Sequence, residues 1–273
     1  MRIKNLTAVL TGATGGIGRA IAAELLDHGA ALLMVARDKE ALSELALSFA
    51  DHKDRVATIR ADITDPTQRE QVCDQALHWR GGVNALINTA GICDFSIFQE
   101  QSAARIDAAF AVNVQAPIHL CHVLIPHLQR APAACIVNVG SVYGAIGYPG
   151  YAVYSATKFA LRGFTEALRR ELDRTSVRVH YLAPRATQTS MNSPAAQRLN
   201  AELRVTVDPP NLVARELRSM IERGRPQAVV GTPESFFARV NAVAPGIVDS
   251  AIRKQWPVIR RHASRSENSL DGA

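Results

Sequence analysis

Tyr154 and Lys158 stand four residues apart in Tyr154-Ser155-Ala156-Thr157-Lys158, and Ser141 lies thirteen residues before the tyrosine. On a helix, an i, i+4 pair shares one face, so this spacing sets an ammonium beside a phenol. A neighbouring cation favours phenolate and is expected to lower the Tyr154 pKa toward the range useful for proton transfer. The Ser141 hydroxyl can hydrogen-bond a carbonyl oxygen and hold it for attack. Lys158 has a second expected task, donating to the ribose of a nicotinamide nucleotide. Tyr151 is a competing phenol, but it lies seven residues before Lys158 and fits the pairing less well.

Such chemistry needs a nucleotide seat, and Thr11-Gly12-Ala13-Thr14-Gly15-Gly16-Ile17-Gly18 supplies one. A tight turn, a close backbone approach to a pyrophosphate and a helix touching a strand each call for glycine. The helix that follows offers its unpaired N–H groups to the anion. No Gly-Lys-Ser/Thr succeeds the turn, which excludes a nucleoside-triphosphate loop. The second apolar run ends Val35-Ala36-Arg37-Asp38. An acid at that tip would bind the adenosine ribose and select NAD(H). Ala36 holds that place, and the Arg37 guanidinium suits a 2′-phosphate, so NADP(H) is expected over NAD(H). Asp38 reads either as a ribose ligand or as the cap of the next helix. Asp62 and Ile63 are expected to flank the adenine.

The elements that must position these groups alternate along the chain. Leu6–Thr11, Ala31–Val35, Arg55–Arg60, Ala85–Asn88, Cys135–Val139 and Val177–Leu182 read as short buried strands. Apolar residues at helical spacing fill Gly16–His28, Lys39–Ala50, Thr67–Trp79, Ala104–Asn113 and Tyr154–Asp173. Asp38 and Asp65 look like helix starts. This alternation specifies an α/β fold: a doubly wound parallel sheet, three layers deep, of the Rossmann kind. After Leu182 come a loop over 183–194, a short helix over 197–204, and a helix from Pro210 to Arg223 closed by Gly224. A last strand follows at Ala228–Val230. Residues 184–226 form the expected substrate lid within a domain of residues 1–232.

Together these residues resemble the short-chain dehydrogenases/reductases, in their shorter, single-domain branch, over roughly residues 5 to 232. The resemblance rests on Thr11–Gly18, Asp62, Asn88-Thr89-Ala90-Gly91, Asn113, Ser141, Tyr154–Lys158 and Pro184 through Met191. It implies an oxidoreductase with an Asn113–Ser141–Tyr154–Lys158 tetrad, Asn113 placing a water in a proton relay behind Lys158. It also implies cofactor contacts from Asn88, Ala90, Gly91, Pro184, Thr187 and Thr189, the last on the nicotinamide carboxamide. A homodimer or homotetramer is implied, through helices that include the one bearing Tyr154. Two departures stand out: Thr89 where the family usually has a second Asn, and Arg185 where Gly usually follows the proline. Arg185 either reaches the mouth of the site toward an anionic group or faces solvent in a mobile loop.

The expected substrate is a lipophilic carbonyl or alcohol, because Val142–Pro149, between Ser141 and Tyr154, carries no charge. Phe95, Ile97 and Phe98 add apolar surface there, or serve as core or subunit contacts. The alternatives are an isomerase or epimerase that uses its cofactor transiently, or a non-catalytic nucleotide sensor or scaffold. Cys73, Cys93, Cys121 and Cys135 are scattered without ligand spacing, so no disulfide framework and no metal site is expected. No run of eighteen uncharged apolar residues and no signal peptide stand out, and a cytoplasmic location is expected. The formal charge is +6. Most of it sits in Arg253, Lys254, Arg260, Arg261 and Arg265, gathered in the tail, and a nucleic-acid partner is not expected. Residues 233–273 read as a C-terminal extension with a basic tail, its polar end over 265–273 disordered. Its apolar groups between 236 and 261 either pack on the body or a second subunit, or lie on the inner face of a membrane.

Overall fold

The apolar runs pair into a seven-stranded sheet in the order β3-β2-β1-β4-β5-β6-β7, parallel throughout. The strands are β1 (Thr7–Thr11), β2 (Ala31–Ala36), β3 (Val56–Arg60), β4 (Ala85–Asn88), β5 (Ala134–Val139), β6 (Val177–Ala183) and β7 (Gln227–Val229). The computed structural model describes residues 1–264, with residues 232–235 as backbone only. Strand order reverses between β1 and β4, and their carboxyl ends open a crevice at that switch point.

Helices cover both faces. On one side α1 (Gly16–Asp27), α2 (Lys39–Ser48) and α8 (Pro210–Arg223) bury Ile21, Leu25, Leu42, Leu217 and Met220. On the other, α3 (Pro66–His78), α5 (Ala116–Leu128) and α6 (Ala152–Glu171) bury Val72, Leu120, Leu124 and Leu168. Local chemistry starts and stops these helices. Asp65 caps α3 by accepting from the Gln68 amide at 3.1 Å, and Gly224 closes α8 in the left-handed region, φ 65°.

The largest departure from the sequence reading follows residue 110. The helix expected to end at Asn113 is α4 (Ala103–Phe110), and it runs through a π turn, Ala111–Gln115, straight into α5. A π turn inserts a residue and shifts the apolar period out of phase, which hid the second half. The continuous stretch Ala103–Leu128 has the length and composition to cross a membrane. In this fold its Ala116, Leu120, Cys121, Leu124 and Leu128 are buried in the core. α7 (Pro194–Glu202) starts three residues earlier than expected, with Ser193 capping the Ala196 amide at 3.2 Å.

Beyond β7, α9 (Thr232–Val243) and α10 (Pro245–Ala263) turn back onto the body. Ile259 and Ala263 pack with Phe95, Tyr151, Ala196 and Leu199, so α10 takes the packed alternative along this side. The expectation of a disordered end over 265–273 lies outside the described residues.

Candidate active site

β1 and α1 are joined by the glycine turn, and for Gly12, Gly16 and Gly18 the smallness has an identifiable cause. Gly12 has φ +65°, and a Cβ there would stand 2.7 Å from the Ala90 backbone. A Cβ on Gly18 would strike the Gly12 carbonyl oxygen at 2.1 Å, and one on Gly16 would meet Thr189 Cγ2 at 2.7 Å. The turn therefore presses against the end of β4 on one side and the 189–191 segment on the other. Gly15 precedes α1 without a side-chain cap, leaving N–H groups of a twelve-residue helix directed into the crevice. These features fit a pyrophosphate.

The crevice has a volume of about 460 Å³. Gly12, Thr14, Gly15, Gly16, Ile17 and Gly18 form its floor; Arg37, Asp62 and Ile63 close one end. Ala90, Gly91 and Thr189 stand across from them, joined by Thr89, Cys93 and Met191. Thr89 Oγ1 is buried with no partner. Asn88, Pro184 and Thr187 lie off the crevice wall. Asn88 donates to Asn138 Oδ1 at 2.8 Å, the Pro184 carbonyl accepts from the Val142 amide at 3.0 Å, and the Thr187 hydroxyl donates to the Arg185 carbonyl at 2.9 Å.

At the adenosine end Asp38 resolves as a helix cap, its Oδ1 accepting from the Ala41 amide at 2.9 Å. Arg37 is exposed beside a second basic residue, Arg60, which donates to the Arg37 carbonyl at 3.2 Å. Arg60 escaped the sequence reading because only the pairing of Ala36 with Arg60 across β2 and β3 brings them together. Burial raises the Asp62 pKa, but hydrogen bonds from the Thr64 amide and hydroxyl, with help from Arg37, pull it below the usual carboxylate value.

Lys158 stands behind Gly91, its Nζ 3.6 Å from where a Gly91 Cβ would lie, with Tyr154 beside the ammonium and Ser141 beside the phenol. Lys158 is buried on α6; its ammonium donates to the Val139 carbonyl at 3.1 Å and lies 5.6 Å from the Tyr154 ring centroid. Ser141 Oγ accepts from the Tyr143 amide at 3.1 Å. Asn113, in the π turn, is wholly engaged by its neighbours. Its Nδ2 donates to the Ile92 carbonyl and to Thr157 Oγ1, and its Oδ1 accepts from the Ile92 amide. Thr157 in turn donates to the Tyr154 carbonyl at 2.7 Å. The Asn113 amide thus braces the loop after β4 against the helix that bears the phenol.

One electrostatic expectation is corrected. The Tyr154 pKa is raised, not lowered, because burial outweighs everything else; the Ser141 hydroxyl opposes this only in part. Tyr154 is half-buried and is not among the residues that line the crevice; Tyr143, Tyr151 and Cys93 crowd the phenol. The penalty appears on the lysine as well: burial brings Lys158 down to about 8. Arg185 is a second correction. Instead of facing solvent, it makes a two-pronged ion pair with buried Asp208, both contacts at 2.8 Å. Asp208 also exchanges backbone bonds with Ala186 and Gln188, so the pair pins the start of the 184–226 segment.

Further positioning residues were not foreseen. Asn88, Asn138 and Thr165 form a buried chain from β4 through β5 to α6. Tyr181, fully buried on β6, places its hydroxyl 3.4 Å from the Ser141 amide, the Ser141 carbonyl and the Lys158 carbonyl. Its bulk explains two glycines: a Cβ on Gly140 would lie 2.1 Å from the Tyr181 hydroxyl, and one on Gly144 2.3 Å. The only sequence signal was that pair of glycines around Ser141.

Residues 6–200 match the family model for short chain dehydrogenase. An uncharacterized oxidoreductase of Bacillus subtilis, DltE, is 35% identical over 195 residues, covering 70% of this chain and 75% of that protein. A short-chain dehydrogenase/reductase from Burkholderia phymatum, solved in complex with NAD, superposes with a TM-score of 0.81 at 25% identity. The superposition covers 90% of this chain and 96% of that one. A short-chain dehydrogenase from Sphingobium yanoikuyae, solved with NADPH, gives a TM-score of 0.76 at 26% identity, over 89% and 95% of the two chains.

Proposed function

The chain belongs to the short-chain dehydrogenase family, enzymes acting on CH–OH and C=O groups, and from that premise we propose an NADP(H)-dependent reductase of apolar carbonyl compounds with Tyr154 as proton donor. The observation that carries the reading is the convergence of a buried ammonium, a phenol and the Ser141 segment beside a glycine-lined crevice. The dinucleotide, when bound, supplies hydride.

The α1 N-terminus and the glycine turn receive the pyrophosphate. Arg37, backed by Arg60, takes the 2′-phosphate, and Asp62 and Ile63 flank the adenine. Lys158 holds the nicotinamide ribose. Ser141 donates to the carbonyl oxygen and Tyr154 Oη delivers a proton to the same oxygen as it gains charge. Burial favours this direction: a phenol with a raised pKa stays protonated at neutral pH and is ready to donate. Below pH 8 the Lys158 amine remains cationic and favours the phenolate left behind. Phe95, Tyr143, Tyr148 and Tyr151 stack into an aromatic wall next to Tyr154, supporting an apolar substrate. Residues 184–226 serve as the lid of the domain formed by residues 1–232. Self-association would use α5 and α6, where Val123 and Phe159 are exposed.

The test is NADPH oxidation with a panel of ketones, aldehydes and ketoacyl compounds, with NADH as control. Tyr154→Phe should retain cofactor binding and lose turnover by about a hundredfold or more. Near-normal turnover in that variant would refute the assignment.

A further inference from the structure

The outer face of the α9–α10 hairpin is unusual for its mixture of exposed apolar side chains and positive charge. Phe236 and Val243 stand seven residues apart on α9, which puts them on one side of the helix, and they are 62% and 88% exposed. Arg239 lies between them on the same side and is also exposed. The turn into α10 continues the apolar surface through Ala242, Pro245, Gly246 and Ile247, the last 63% exposed. On α10 the buried side is Val248, Ile259 and Ala263, so Arg253, Lys254 and Arg260 point away from the body. Arg261 pairs with Glu202 of α7. Between residues 236 and 261 the sequence sets one acid, Asp249, against the remaining four cations, Arg239, Arg253, Lys254 and Arg260.

That charge selects among occupants. A two-fold self-interface sets one patch against its own copy, and here it would bring like charges together around the apolar groups. An anionic surface meets the cations and accepts the apolar side chains at once. The geometry points to the outer face of α9 and its turn into α10 as a docking site for an anionic lipid bilayer, with Phe236, Val243 and Ile247 entering the headgroup boundary and Arg239, Arg253 and Lys254 meeting lipid phosphates.

The hairpin is fastened to the substrate side of the molecule. Asn241 donates to the Ala145 carbonyl at 2.9 Å, and Tyr148 donates to Gln255 Oε1 at 2.8 Å. Ile259 and Ala263 close the aromatic wall around Phe95 and Tyr151. Docking therefore sets the mouth beside Tyr154 close to the lipid surface. Resting on the reading above, the substrate class narrows to apolar carbonyl compounds dissolved in a bilayer.

Flotation of the full-length protein with vesicles tests docking without any turnover. Binding to equimolar phosphatidylcholine/phosphatidylglycerol vesicles should exceed binding to phosphatidylcholine alone by about tenfold or more, and should weaken in high salt. The double variant Val243→Glu/Ile247→Glu should lose that binding and keep the wild-type melting temperature. It should reduce a water-soluble aldehyde at the wild-type rate, and a long-chain ketone held in anionic vesicles at a raised KM. Absence of flotation with either vesicle, or equal binding to both, overturns the proposal. A concentration-dependent dimer that the double variant abolishes also overturns it, because a second copy then covers the face. Flotation by a protein inactive on every carbonyl would leave docking standing and remove the reductase reading alone.

Discussion

Replacing Lys158 with methionine should make the cofactor-free protein more stable while abolishing its activity. The ammonium is 4% exposed and its hydrogen bond goes to the Val139 carbonyl. Burial lowers its pKa from 10.5 to about 8, which corresponds to about 3 kcal/mol of destabilisation of the charged form. Methionine is close in length, carries no charge, and forfeits a hydrogen bond worth about 1 kcal/mol. The net gain at pH 7 is about 2 kcal/mol, or roughly 5 °C in melting temperature for a chain of this size. The pH dependence follows from the direction of the shift. Below pH 8 both folded and unfolded states hold the proton, and the wild type carries the full cost. Between about 8 and 10.5 the folded state releases the proton first, so wild-type stability climbs with pH. The advantage of Lys158→Met should therefore shrink across that interval and be gone above it. Urea unfolding of both proteins, without cofactor, at pH 7 and in steps to pH 10.5 measures this. A variant less stable at pH 7, or a difference that ignores pH, would refute the assignment of a penalised buried charge. The cost is one that a functional site tolerates.

Arg37→Ala should raise the KM for NADPH by about tenfold or more, the loss of a charge-assisted bond, and leave the NADH value unchanged; equal effects on both would place the 2′-phosphate elsewhere. Arg185→Ala should cost about 3 kcal/mol, read by thermal unfolding, because it strands the Asp208 carboxylate in a buried setting. A melting temperature within error of wild type would show that the pair is not what pins the 184–226 segment. Tyr181→Phe keeps the ring that fills the space above Gly140 and Gly144 but removes the Ser141 amide's partner. Its turnover should fall with KM and cofactor affinity unchanged, at a stability loss of about 1 kcal/mol; an unchanged turnover number would leave Tyr181 a packing residue only.

Much of this molecule is legible along the chain because its causes are local. The glycine turn shows in its spacing directly after a strand, although Ala90 and Thr189, which press on Gly12 and Gly16, are distant in sequence; the Tyr154–Lys158 pair follows from helical pitch. Alternating runs of apolar residues are enough to specify a parallel sheet with helices on both faces, and Asp65 announces the start of α3 by side-chain capping. The family resemblance drew on the same short-range signals. What the chain could not disclose depends on neighbours distant in sequence. Arg60 joins Arg37 only through strand register, Arg185 finds Asp208 twenty-three residues on, and Tyr181 reaches under Ser141 from another strand. The π turn at Asn113 breaks the very periodicity on which sequence reading relies. The sign of the Tyr154 shift was decided by the tertiary structure for the same reason. An ammonium four residues away is a local fact, but the desolvation that outweighs it is set by Tyr143, Tyr151 and the whole packed surround.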